Sequence, residues 1–119
     1  VVACNAAGDV IGAGGDILAG SAAPAGTASF PGLSPLEHTT LVVVATDARL
    51  SKTDCRLAAV SAHDGLARAI RPAHTRYDGD AAFVLASGVH DAHPDRVREA
   101  AADVVAQAVR AAVAARPGR

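Results

Sequence analysis

Three short stretches of the sequence place chemistry-bearing side chains where they could act together. The first is EHTTLVVVATDARL, residues 37–50, in which Thr39 and Thr40 stand at the mouth of an apolar run. A threonine hydroxyl attacks a carbonyl well only when a base sits beside it. One solution makes it the first residue of a chain, so that its own α-amino group, with a pKa near ~8, is the base. On Thr39 that chemistry requires a cut between His38 and Thr39. The second stretch is YDGD, residues 77–80: Asp78 and Asp80 are separated by a glycine, so an extended backbone points both carboxylates to one side. Two such groups can hold an ammonium, orient a hydroxyl or share a proton. The third is Asn5, at the end of the apolar run VVACN, whose amide could donate to a developing oxyanion. Each has a plainer reading on residue type alone. Thr39 and Thr40 also suit a strand start, and YDGD and Asn5 also suit turns.

Other chemistries find less support. The histidines His38, His63, His74, His90 and His93 form no H-E-x-x-H pattern, and HDAH at 90–93 ends at a proline beside a helix start, so no metal is expected. GAGGD at 12–16 is not followed by a helical pattern, as a dinucleotide loop would be, and no cofactor is expected. Cys4 and Cys55 make neither a disulfide framework nor a zinc spacing and read as reduced thiols. Eleven basic against 12 acidic residues give a net charge of −1 without a basic block, which argues against nucleic acid or an anionic membrane as partner. No apolar run reaches the ~20 residues of a membrane span, and no secretion signal opens the chain. The expectation is a soluble, cytoplasmic protein.

The elements that must position these residues follow from period and punctuation. With 119 residues the chain has one domain's worth of sequence. It begins without Met inside the apolar run VVACN, as the middle of a strand would, so a fragment of a longer chain is expected. VVACN predicts a strand, followed by a turn at Gly8-Asp9. Residues 12–35, rich in Gly, Ala, Ser and Pro, predict a long flexible loop or linker. The run LVVV within 40–48 shows no alternation and predicts a strand covered on both faces. Ser51 with Asp54 predicts a capped helix over 52–70 with Cys55, Ala59, Ala62, Leu66 and Ile70 inward, stopped by Pro72. AAFVLASG predicts a second buried strand. Pro94 opens a last helix to about residue 115, with Val97, Ala101, Val104, Ala108 and Ala112 as its apolar stripe. The sum is an α/β (α+β) layered fold with helices packed on a sheet.

TTLVVVATDARL, HDGLARAIRPAHTRYDGDAAFVLASG and VVACNAAGDVIG occur in an order and spacing that resemble the C-terminal part of the DmpA-type peptidases. That family comprises L-aminopeptidase/D-amino-acid esterases, β-peptidyl aminopeptidases and 6-aminohexanoate-oligomer (nylon oligomer) hydrolases. The resemblance implies the αββα sandwich of N-terminal-nucleophile hydrolases, of which this chain would be the C-terminal portion. It also implies a precursor that cuts itself, residues 1–38 being the tail of the α-piece and 39–119 the β-piece. Thr39 falls on the new N-terminal nucleophile and His38 on the residue before the cut, where the family more often has Asn or Gly. Asp78 and Asp80 fall on the pair flanking the nucleophile in the nylon-oligomer branch, where the aminopeptidase branch has Ser and Glu. Asn5 falls on the asparagine that binds the oxyanion. The implied activity is hydrolysis of amide or ester bonds in short amino-terminated peptides or ω-amino-acid oligomers. The implied partners are the upstream α-piece and further copies of the protein. A non-catalytic assembly module that keeps the family fold is the alternative.

Overall fold

The computed structural model describes residues 1–20 and 38–114. In chain order the elements are β1 (Val2–Asn5), β2 (Asp9–Ile11), β3 (Ile17–Ala19), β4 (Thr39–Ala48), α1 (Lys52–Ala69), β5 (Ile70–Arg71), β6 (Ala81–His90) and α2 (Pro94–Ala114). The main sheet has the order β1-β4-β6, with β1 antiparallel and β6 parallel to β4. A parallel partner must be reached by a crossover, and α1 is that crossover. A smaller sheet of order β3-β2-β5 closes the side near the helix ends.

The helices start and stop where the sequence punctuates them. Ser51 caps α1: its Oγ accepts from the Asp54 amide at 3.0 Å while the Asp54 carboxylate accepts from the Ser51 amide at 3.3 Å, the two halves of a capping box. At the other end Ile70 turns extended and pairs with Val10, so β5 takes the residue predicted as the last of the helix. Both helices lie on one face of the main sheet. Val42 of β4 packs there with Leu66 of α1 and Val105 and Val109 of α2, and full burial of each such side chain contributes about 1.5–3 kcal/mol. The helices cross closely at Gly65, where an added Cβ would collide with the Ala102 carbonyl oxygen and lie 2.9 Å from Val105 Cβ.

Several expectations change. In α2 the buried residues are Ala101, Ala102, Val105, Ala106 and Val109, so the 3.6 period holds but its phase is turned by about one residue from the predicted stripe. Contact with α1 and with the strand edge sets that phase, and alanine-rich helices carry too few large side chains to fix it beforehand. The segment 12–20, predicted as loop, returns as a hairpin: Gly12 donates to Asp16 O at 2.8 Å and β3 pairs with β2. The remainder of the predicted linker, 21–35, lies outside the described residues, as does Glu37.

The largest correction concerns β4. Its burial alternates, Thr40 and Val42 facing the helices while Leu41 and Val43 are 48% and 38% exposed. On β6 Phe83 and Leu85 are exposed at 58% and 63%. Among the described residues this apolar run is covered on one side only, which leaves a broad apolar face.

Candidate active site

Asn5, Thr39, Asp78 and Asp80 meet at one end of the main sheet. In the β1–β4 ladder Asn5 pairs with Thr39, Cys4 with Thr40 and Ala3 with Leu41. Directly opposed residues share a face, so Asn5 and Thr39 stand side by side on the open, apolar face with Leu41. Thr40 points the other way and is fully buried, its hydroxyl 3.8 Å from Cys4 Sγ. Of the paired threonines, Thr40 is the core residue and Thr39 the presented one.

The second flank comes from the approach to β6. The parallel register that joins Leu41 to Ala81 continues backward to a bridge between His38 and Asp78. Asp78, Gly79 and Asp80 therefore lie beside His38, Thr39 and Thr40, and the position next to Thr39 is the one without a side chain. His38 donates its amide to Tyr77 O at 3.3 Å, and the His38 carbonyl accepts from the Gly79 amide at 2.7 Å. The carbonyl of the peptide bond in question thus already has an N–H aimed at the oxygen that becomes negative when a hydroxyl attacks. His38 Nδ1 is buried without a hydrogen-bond partner.

Both carboxylates are fully engaged. Asp78 Oδ1 accepts from the Ala7 amide at 3.1 Å, and its Oδ2 accepts from the Thr75 amide at 2.9 Å and the Thr75 hydroxyl at 2.6 Å. It thereby ties the loop before β6 to the turn after Asn5. Asp80 Oδ1 accepts from the Thr40 amide at 2.9 Å, and Oδ2 lies 2.7 Å from His74 Nδ1. These bonds fix Asp80 to the Thr40 amide, one residue past Thr39, and Asp78 to the loop before β6 and the turn after Asn5. Sequence reasoning missed His74, Thr75 and the Gly79 amide. Only the residue types in HTRYDGD hinted at the first two, and a backbone donor leaves no trace in the sequence.

Behind this end of the sheet His63 of α1 meets His74 edge to face, ring centroids 4.9 Å apart. Burial, and then the charge of His74, push the His63 pKa below its usual value, against a smaller pull from Asp80 and Asp64. Among the described residues no group of three or more His, Cys, Asp or Glu side chains could hold a metal ion, and no helix is long and apolar enough to cross a membrane.

A hydroxyl and an amide paired across two strands, beside a peptide carbonyl that accepts from the Gly79 amide and with two carboxylates on the adjoining loop, have the makings of an acyl-transfer site. Comparison with known proteins agrees with a hydrolase. An uncharacterized aminopeptidase of Mycobacterium tuberculosis and one of Mycobacterium bovis are each 46% identical to the chain over 91 residues, which is 64% of this chain and 26% of theirs. One of Mycobacterium leprae is 57% identical over 61 residues, covering 50% of this chain and 17% of its own length. The chain thus matches about a quarter or less of the length of these relatives. The model of peptidase family S58, the DmpA-type family, matches residues 1–117, and the chain belongs to that family.

Proposed function

We propose that the chain is the C-terminal part of a self-processing hydrolase whose nucleophile is Thr39. The pairing of Asn5 with Thr39 on the face away from the helices carries this reading, because it sets a hydroxyl beside an amide donor at a peptide bond whose carbonyl already accepts from Gly79. In processing, Thr39 Oγ attacks the His38 carbonyl carbon. The bond from that carbon to the Thr39 nitrogen breaks, an ester to Oγ forms, and the amine takes up the hydroxyl proton. Water then hydrolyses the ester, restoring the hydroxyl and leaving a carboxylate on His38. The freed amino group of Thr39 becomes the base for later turnovers. Asp80, held by the Thr40 amide, and Asp78, held by the Ala7 amide, orient hydroxyl and amine and stabilise an ammonium by their charge.

The substrates that fit are short peptides, amides or ω-amino-acid oligomers with a free amine, acted on by the whole protein. Its upstream part supplies the second sheet of an αββα sandwich and covers Leu41, Val43, Phe83 and Leu85, whose exposure supports a missing layer. The assembled protein forms oligomers. A cytoplasmic setting suits the two unbridged cysteines. Hydrolysis of amino-acid amides by the full-length protein, set beside its Thr39→Ala variant, tests the reading: loss of turnover is expected, and undiminished turnover in the variant refutes it.

A further inference from the structure

His74 sits between the candidate site and helix α1 in an uncommon backbone conformation. Its φ is +54°, in the left-handed region that non-glycine residues seldom enter, and such residues persist where the surroundings hold them. Two contacts hold it: its Nδ1 to Asp80 Oδ2 at 2.7 Å, and its ring against the edge of His63. The Asp80 side chain is only 7% exposed, whereas that of His74 is 39% exposed. A continuous path therefore runs from the Thr40 amide through the two oxygens of Asp80 to His74 and on to His63. With Asp80 ionised, a neutral His74 must carry its proton on Nδ1, leaving Nε2 toward the exterior.

We propose that His74 is a positioning residue, which through its Nδ1–H holds the Asp80 carboxylate in its orientation beside the nucleophile's backbone. The proposal rests on the reading of Thr39 as nucleophile and adds to it a residue that touches neither substrate nor reacting atoms. The physical reason is the burial of Asp80: a carboxylate so little exposed needs a donor on each oxygen, and Thr40 supplies one only. Removing the imidazole leaves Oδ2 without its donor, so the carboxylate loses its fixed orientation. The other charged or titratable groups around His74 are His63 and Asp64 of α1, and Arg68, Arg71 and Arg110, which line the same groove of about 590 Å³. Arg110 is tied to the Ile11 and Arg68 carbonyls and Arg68 to Asp103, so neither replaces the imidazole on Asp80.

The test measures processing and amide hydrolysis by the full-length protein for wild type, His74→Leu and His74→Asn. His74→Leu is expected to lower both rates by about ten- to a hundred-fold, the scale of a small misplacement at a reacting centre. The loss should fall on kcat, with KM changed by less than about three-fold. His74→Asn, whose side-chain nitrogen can take the place of Nδ1, is expected to restore most of the rate. A loss carried by KM, or an Asn variant as impaired as the Leu one, overturns the proposal and leaves His74 a loop anchor. Should His74→Leu not fold, ¹⁵N NMR of the wild-type His74 ring decides: a proton on Nδ1 is expected, and an unprotonated Nδ1 in the neutral ring overturns the proposal. Failure of the nucleophile reading is seen separately, as cleavage or turnover that survives Thr39→Ala.

Discussion

Replacing Asp80 separates what its carboxylate does for stability from what its charge does for chemistry. In Asp80→Ala the Thr40 amide, within a residue of 0% exposure, loses its acceptor at 2.9 Å. An unsatisfied buried donor costs about 1–3 kcal/mol. The bond to His74 at 2.7 Å adds less, because that imidazole can turn to water. The two together come to about 3 kcal/mol, a large fraction of the ~5–15 kcal/mol that holds a domain. Urea unfolding of the full-length protein followed by circular dichroism should therefore show a midpoint lower by about 1–2 M. Asp80→Asn keeps a carbonyl oxygen for Thr40 and presents an amide to His74, which can switch tautomer to receive it, so its cost should stay near ~1 kcal/mol. Its hydrolytic rate should nonetheless fall about a hundred-fold or more, since the charge is gone. An Ala variant within about 0.5 kcal/mol of wild type refutes the reasoning, as does an Asn variant as unstable as the Ala one.

Gly65→Ala should destabilise by about 1–3 kcal/mol, because the added methyl meets the Ala102 carbonyl where α1 and α2 cross, and thermal unfolding checks it. His63 resists charging in the folded state, so the unfolded chain binds its proton more readily. Stability should accordingly fall as pH drops through the usual histidine range and level off above it, and His63→Gln should flatten that slope in urea titrations taken between about pH 5 and 7.5. Leu85→Lys, on the open sheet face, should cost the full-length protein about 2 kcal/mol or more if a second layer covers that face. A cost within about 0.5 kcal/mol would show the face to be solvated.

Much of the framework was legible because its signals are local. Ser51 and Asp54 announced the start of α1 through hydrogen bonds made within three residues, and Pro94 the start of α2 through the backbone angle its ring fixes, while α1 stops at Ala69, a few residues before Pro72. What was not legible depends on distant partners. Which side of α2 is buried is decided by α1 and the sheet. Likewise β5 is a strand only because it finds β2 across some sixty residues, Asp9 beside Arg71 and Val10 beside Ile70. The unalternated LVVV spoke for two covered faces, and among the described residues only one is covered. The site shows the same division. Asn5, Thr39 and the two aspartates could be named from type and spacing, but only the register of three strands sets Asn5 opposite Thr39 and Gly79 against the His38 carbonyl. His74 reaches Asp80 by a left-handed backbone that no pattern of residues foretold.

The central claim is that the bond before Thr39 is broken by Thr39 itself. Intact-mass spectrometry of the freshly purified full-length protein, beside its Thr39→Ala variant, tests this most directly. The account predicts two pieces for the wild type, the smaller beginning at Thr39, and a single uncut chain for the variant. A wild-type chain that stays whole while it hydrolyses amides, or a variant that is still cut at His38, contradicts it.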